Sequence, residues 1–297
     1  MKFGVHKGTW GKYYNPQDAV TFLEQAARTG AETAEFNASD AMLAHDAAEI
    51  RRVREACDRL SIEPLLTVAM PAGLDMRSPD KYIREAATQH VIRTCQSAAE
   101  IGARSINGAG SYSTWPSRYD FDMITPEDKI ERTKRSAECV HNVAVKAQEY
   151  GVRINVEILN RFENYIINTV DEGLAFVRQI DCPNVGLLVD AFHLSHEEDD
   201  LPDAFARAGK MIGHVHVTEP NRKVPYHTAR IPWPEIGRVL RECDYEGSVT
   251  IEAVLAFEGA GSYNMRMWRD QIEDTSLDGR LDALYHGLNY LREQFLQ

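Results

Sequence analysis

Residues 151–190 read GVRINVEILN RFENYIINTV DEGLAFVRQI DCPNVGLLVD, and they hold the unit that decides the fold. Gly151 closes a long periodic stretch, as glycine does at helix ends. Ile154-Asn155-Val156-Glu157-Ile158 then alternates like a strand, and Val185-Gly186-Leu187-Leu188-Val189 is a continuous apolar run of strand length. Between them, from near residue 169, apolar residues recur at helical spacing. A strand, a crossover helix and a second strand in this order is the building block of a parallel sheet.

Worked outward, the same unit repeats along the chain. The other strand candidates are Phe3-Gly4-Val5-His6, Thr33-Ala34-Glu35-Phe36, Pro64-Leu65-Leu66-Thr67-Val68, Arg104-Ser105-Ile106-Asn107, Gly213-His214-Val215-His216-Val217 and Val249-Thr250-Ile251-Glu252. Helical segments are expected to start near 16, 46, 80, 126, 169, 200, 232 and 280. Eight strand–helix pairs without a Gly-Ser linker or low-complexity tract predict one closed (β/α)8 TIM barrel over residues 1–297, rather than two domains. The runner-up is an open doubly wound sheet, which usually places a glycine-rich nucleotide loop after its first strand; Gly4-Val5-His6-Lys7-Gly8 supplies none. Asn15-Pro16, Ser78-Pro79-Asp80 and Thr125-Pro126-Glu127-Asp128 read as capping side chains followed by proline in the first turn, and Gly30 and Gly102 read as stops.

The chain carries 33 Lys+Arg against 45 Asp+Glu, a formal charge of −12, and 43% hydrophobic residues. The negative field disfavours nucleic acid and anionic membranes and suits neutral or cationic small ligands. No early apolar stretch resembles a signal peptide and no window resembles a membrane span, so a cytoplasmic protein is expected. Cys57, Cys95, Cys139, Cys182 and Cys243 are odd in number and widely spaced, which favours reduced, packed thiols over disulfides or a CxxC zinc site. The sequon Asn37-Ala38-Ser39 has no consequence without secretion.

In a barrel, ligands come from the carboxyl ends of the strands. Strands five to eight end at Glu157, Asp190, His216 and Glu252. Any one of these is unremarkable as a cap or a packed histidine. Four at equivalent places put three carboxylates and one imidazole on one rim, a donor set for Mn²⁺, Co²⁺ or Mg²⁺, and a cation is what keeps crowded carboxylates ionised. Asn160, Arg161, Glu163, His193, Glu219, Asn221 and Arg222 follow at short spacings and suit a polyhydroxylated ligand, with Arg161 and Arg222 alternatively pairing with loop acids. His196 with Glu197, Glu198, Asp199 and Asp200 reads as a solvated helix start. Two long inserts, 108–124 and 255–279, lie at the ligand end or serve as surface or subunit contacts. Gly108-Ala109-Gly110 lacks the third glycine and the following helix of a dinucleotide loop, and GxxxxGK[ST], GxSxG and HExxH are absent.

The stretch Val156-Glu157-Ile158-Leu159-Asn160-Arg161-Phe162-Glu163-Asn164-Tyr165 resembles the signature of the ketose 3-epimerases, the D-tagatose and D-psicose (allulose) 3-epimerase family of xylose-isomerase-like barrels. The similarity continues through Asp190-Ala191-Phe192-His193, Gly213-His214-Val215-His216, Glu219-Pro220-Asn221-Arg222-Lys223-Val224-Pro225, Arg230-Ile231-Pro232-Trp233 and Trp268-Arg269-Asp270. The resemblance implies that Glu157, Asp190, His216 and Glu252 bind a divalent metal, Mn²⁺ first with Co²⁺ or Mg²⁺ as alternatives. It implies that Glu157 and Glu252 are the acid/base pair, that Glu163, His193 and Arg222 contact the sugar, and that the chain forms a homodimer or homotetramer. His6, ending the first strand, joins the expected substrate contacts. The implied reaction is inversion at C3 of a free ketose through a cis-enediolate.

The chain departs from that pattern at three places. Ala191 stands where the family has Thr, Glu252-Ala253-Val254 where it has Glu-Pro-Phe, and Tyr226-His227-Thr228-Ala229-Arg230 where it has a glycine-rich turn. The missing aromatic at 254 bears on the substrate tail. These departures motivate the alternatives, a metal-dependent lyase of deglycosidase type acting on a 3-keto sugar or glycoside, or an aldose–ketose isomerase.

Overall fold

In the computed structural model, residues 1–68, 70–108, 112, 113, 115, 124–226 and 230–296 are described. Eight strands, β1 (Lys2–His6), β2 (Thr33–Phe36), β3 (Glu63–Val68), β4 (Ser105–Gly108), β5 (Arg153–Glu157), β6 (Val185–Asp190), β7 (Ile212–Val217) and β8 (Ser248–Ile251), pair in parallel in chain order. β8 returns to β1 with Phe3 opposite Val249 and Val5 opposite Ile251, which closes the barrel. Every strand expected from the sequence is present, with ends shifted by at most one residue.

The helices are α1 (Ala19–Arg28), α2 (Asp40–Leu43), α3 (Ala47–Leu60), α4 (Lys81–Ile101), α5 (Pro126–Glu149), α6 (Val170–Ile180), α7 (Ala191–Leu194), α8 (Leu201–Ala208), α9 (Trp233–Glu242), α10 (Gly259–Asn264) and α11 (Leu277–Phe295). Their apolar faces cover the barrel. Phe295 in the last turn of α11 meets Phe3 of β1 edge-on, with centroids 6.2 Å apart, and lies 6.2 Å from Trp233 of α9. Truncating a ring buried this way costs about 3–5 kcal/mol, so the last helix closes the barrel by packing as well as by topology.

Thr125 caps α5 as expected, accepting from the Asp128 amide while Asp128 accepts from the Thr125 amide. The other two expected caps are displaced. α1 is capped by Asp18 and α4 by Asp80, so Pro16 and Pro79 precede the caps instead of opening the helices. A carboxylate accepts strongly from the first-turn amides and interacts well with the positive helix end, so it takes the cap from the earlier Asn or Ser. The expected stops hold: Gly30, Gly102 and Gly151 adopt φ of +74°, +87° and +68°.

Among the described residues no helix is long and apolar enough to cross a membrane, and the five cysteines are free.

Candidate active site

Parallel strands present all their carboxyl ends at one mouth, and the register brings unrelated stretches level there. Asp190 sits opposite His216 across β6 and β7, and Val217 opposite Ile251 places Glu252 just beyond the end of β8. Glu157, the last residue of β5, completes the ring. One donor atom from each of Glu157, Asp190, His216 and Glu252 lies within 4.8 Å of every other. His216 Nδ1 is 3.7 Å from Glu157 Oε1 and 3.4 Å from Glu252 Oε2.

The histidine is oriented from below. Buried Glu35 of β2 accepts hydrogen bonds from His216 Nε2 and His214 Nε2, each at 2.9 Å. With its Nε2 proton committed to Glu35, His216 presents Nδ1 to the ring of carboxylates. His216 Nδ1 and Asp190 Oδ2 are both buried without a hydrogen-bond partner. Two unpartnered buried atoms facing two further carboxylates form a site that a divalent cation fits, with one nitrogen and three oxygen donors.

Around the ring stand its polar neighbours. Asn160 donates its backbone N–H to His193 Nδ1 at 3.1 Å, so His193 Nε2 points toward Glu157 Oε1 at 3.7 Å and Asp190 Oδ2 at 3.6 Å. Arg222 adopts φ +63°, in the region where side chains other than glycine are rare. That turn lays its guanidinium 3.7 Å from the Phe192 ring centroid and brings Nη1 within 3.1 Å of Glu252 and 3.5 Å of Asp190. Its Nη2 lies 3.4 Å from Glu163, whose other oxygen accepts from Trp115 Nε1 at 2.8 Å. His6 accepts the Gly8 amide on Nδ1 and lies 3.4 Å from Glu252.

Burial divides the carboxylates. It pushes Glu157 up to about 8 and Asp190 up to about 6, the latter against the pull of Arg222. Glu252 is half-buried, and His6, His216 and Arg222 outweigh its desolvation and hold its pKa well below the usual carboxylate range. Burial also works against a charged His216, yet Glu35 and Glu252 prevail and raise its pKa well above the ordinary value. Burial lowers His6 to about 4, so it is neutral at pH 7. Without a cation the ring therefore carries protons on Glu157 and His216 at neutral pH.

A cation taking these four ligands must displace those protons. Mn²⁺ uptake at pH 7 is expected to release protons, and affinity is expected to fall by at least about tenfold per pH unit below about 8. Calorimetric titration in two buffers of different ionisation enthalpy reads the proton count. Zero release, or an affinity flat from pH 6 to 8, would contradict the assignment.

The ring lies at one side of a cavity of about 500 Å³. Glu157, Glu163, His193, His216, Arg222, Glu252 and His6 all line it, as does Val254. From the first long insert Ser113 and Trp115 reach the wall, while 109–111, 114 and 116–123 lie outside the described residues. From the second, Leu255, Ala256, Glu258, Ser262 and Met265 do so. Both inserts therefore contribute to the ligand side. Gly11 is required beneath this wall: its φ is +55°, and a Cβ there would collide with Glu258, which Arg280 holds at 2.8 Å.

Comparison with known proteins places this geometry. The family model for xylose isomerase-like TIM barrels matches residues 23–271. A D-psicose 3-epimerase of Ruminiclostridium cellulolyticum is 35% identical over 91% of this chain and 89% of its own, and one of Agrobacterium fabrum is 32% identical over 91% of each. The solved D-psicose 3-epimerase of Clostridium cellulolyticum H10 with D-tagatose superposes with a TM-score of 0.91, at 31% identity over 99% of both chains. The chain belongs to the ketose 3-epimerase family of xylose isomerase-like barrels. It is accordingly an enzyme of the isomerase class, a carbohydrate epimerase.

Not every polar residue expected at this epimerase's site is there. Arg161 pairs with Glu197 at 2.6 Å, away from the cavity wall. Glu219 is buried and accepts from Trp233 Nε1, and Asn221 accepts from the Lys223 amide. The tract 196–200 is not a solvated helix start throughout. Glu197 accepts from Arg161, Glu198 pairs with Arg207 at 2.5 Å, and only Asp200 caps α8. Ala191 opens α7 and is buried, and residues 227–229 of the altered turn lie outside the described residues.

Proposed function

We propose that this enzyme inverts C3 of a free ketose by proton transfer between two facing carboxylates, Glu157 and Glu252. One observation carries the reading: two carboxylates, Glu157 and Glu252, stand in one donor ring on the cavity wall, 3.7 and 3.4 Å from His216 Nδ1, so that one can accept a proton and the other give one. Glu252, ionised between His6, His216 and Arg222, takes the C3 proton and leaves a cis-enediolate. Glu157, having taken up a proton from solvent, returns it to the opposite face, the proton on Glu252 passes to solvent, and with the roles exchanged the reaction runs backward.

Glu157, Asp190, His216 and Glu252 would hold a divalent ion, Mn²⁺ before Co²⁺ or Mg²⁺. Such an ion supplies Lewis acidity toward the vicinal oxygens on C2 and C3. Arg222, Glu163 and His193, all buried, orient the substrate's hydroxyls, and buried His6 contributes from β1. Relatives are named for D-psicose and L-ribulose, which supports a ketohexose or ketopentose as the class. Incubation with a panel of free ketoses and a 3-keto glycoside, Mn²⁺ supplied, tests the reading. C3 epimers of the ketoses are expected; cleavage of the glycoside without epimer formation would replace this reading by a lyase.

Val254 lies on the cavity wall, 6% exposed, and its amide donates to the Arg222 carbonyl at 3.0 Å. A larger side chain there narrows the space beyond the reacting carbons. Val254→Phe is expected to change the relative kcat/KM among ketoses differing at C4 to C6 by about 10- to 200-fold, with Mn²⁺ affinity unchanged. An unaltered profile would show that residue 254 does not meet the substrate tail.

A further inference from the structure

Charge is distributed unevenly around the cavity. The wall following β5 to β8 carries Glu157, Glu163, Glu252 and Glu258, with Asp190 behind them. The described residues lining the wall that follows β1 to β4 include Lys7 and Lys12 but no carboxylate.

The cations of the lining differ in what they face. Arg222 is engaged by Glu252 and Glu163, and Arg280 and Lys12 share Glu258 at 2.8 and 3.5 Å. Lys7, directly after β1, is different. Among the described residues it makes no ion pair and no hydrogen bond, and its ammonium stands 5.7 Å from the Tyr14 ring centroid. Desolvation lowers its pKa, and the fields of Glu252 and Glu35 offset this only in part. An ammonium left without a partner in a partly buried site is costly unless a ligand supplies one. On the same side buried Asn107 keeps one amide group unpartnered.

A sugar held with C2 and C3 at the ring of Glu157, Asp190, His216 and Glu252 has its remaining carbons in the same cavity, whose lining after β1 to β4 offers Lys7 and Lys12 and, among the described residues, no acid. We propose that the physiological substrate is a ketose bearing a negatively charged group, a carboxylate or a phosphate, at the end remote from the reacting carbons, and that Lys7 selects it. This rests on the reading of the ring as the place where C3 is inverted.

The test uses the Mn²⁺-loaded full chain and three substrates sharing the reacting carbons: a free ketohexose, its terminal phosphate and the corresponding ketouronate. Wild type is expected to favour one anionic substrate over the neutral ketose by about 10- to 100-fold in kcat/KM, the range of a charged hydrogen bond. Whether the carboxylate or the phosphate leads identifies the group. Lys7→Met is expected to bring that ratio near one, and its Mn²⁺ affinity reports whether the metal site survives. Lys7→Gln serves as a second variant. Epimerisation of the neutral ketose with no anionic preference in wild type would overturn the role of Lys7 and leave C3 inversion standing. So would a preference that persists in both variants. Turnover of none of the three would overturn C3 inversion and this assignment together.

Discussion

Glu252→Gln and Glu157→Gln are each expected to reduce C3 epimerisation by at least about 10²- to 10⁴-fold, the range that general acid–base catalysis contributes. The amide is nearly isosteric with the carboxylate but takes no proton at neutral pH, so the change removes chemistry and keeps volume. At Glu252 it also removes a charge that faces Arg222 Nη1 at 3.1 Å and helps hold His216 protonated. At Glu157 the buried side chain already binds a proton without a cation, so substitution there should disturb folding least. Product analysis over hours, beside thermal unfolding, reads both effects. A variant that folds like wild type and retains epimerase activity within tenfold would remove that residue from the acid/base pair.

Exhaustive chelation is expected to abolish turnover, and Mn²⁺ or Co²⁺ to restore it. The unpartnered His216 Nδ1 and Asp190 Oδ2 are the physical reason, since buried polar atoms are rarely left unsatisfied. His216→Ala should lower Mn²⁺ affinity by at least about 10-fold, the lower end of what even an outer-shell partner contributes. His193→Ala should instead slow turnover with the ion retained, because Asn160 fixes its ring beside the four ligands rather than among them. Full activity in protein shown metal-free by elemental analysis would contradict the cation's role.

The barrel and the ring of four were legible because both follow from period and position. Strand pattern fixes where each carboxyl end falls, and the polar residue at that end needs no tertiary information to be found. His216 precedes the end of β7 and pairs with Thr250, and Glu252 follows the end of β8 two residues farther on, yet their side chains meet at 3.4 Å. Glu35 escaped notice because it stands inside a four-residue strand between Ala34 and Phe36, where only its partners explain it. The signals were present: a carboxylate within an apolar strand, and two histidines spaced to share one face of β7. Lys7 carries no signal in the sequence beyond following the first strand, and closure of β1 against β8 places it at the cavity. By position alone Arg161 and Arg222 read alike, and the resemblance alone singles out Arg222; the left-handed turn at 222 sends it to the site, while Arg161 pairs with Glu197.

The central claim, proton removal from C3 by one carboxylate and return by another, is tested most directly by running the reaction in deuterated water and locating the label by NMR. One deuterium at C3 of the epimerised product, with C1 unlabelled, is the predicted result. Product carrying no deuterium would indicate a direct hydride shift, label at C1 would indicate aldose–ketose isomerisation, and either would contradict the two-carboxylate account.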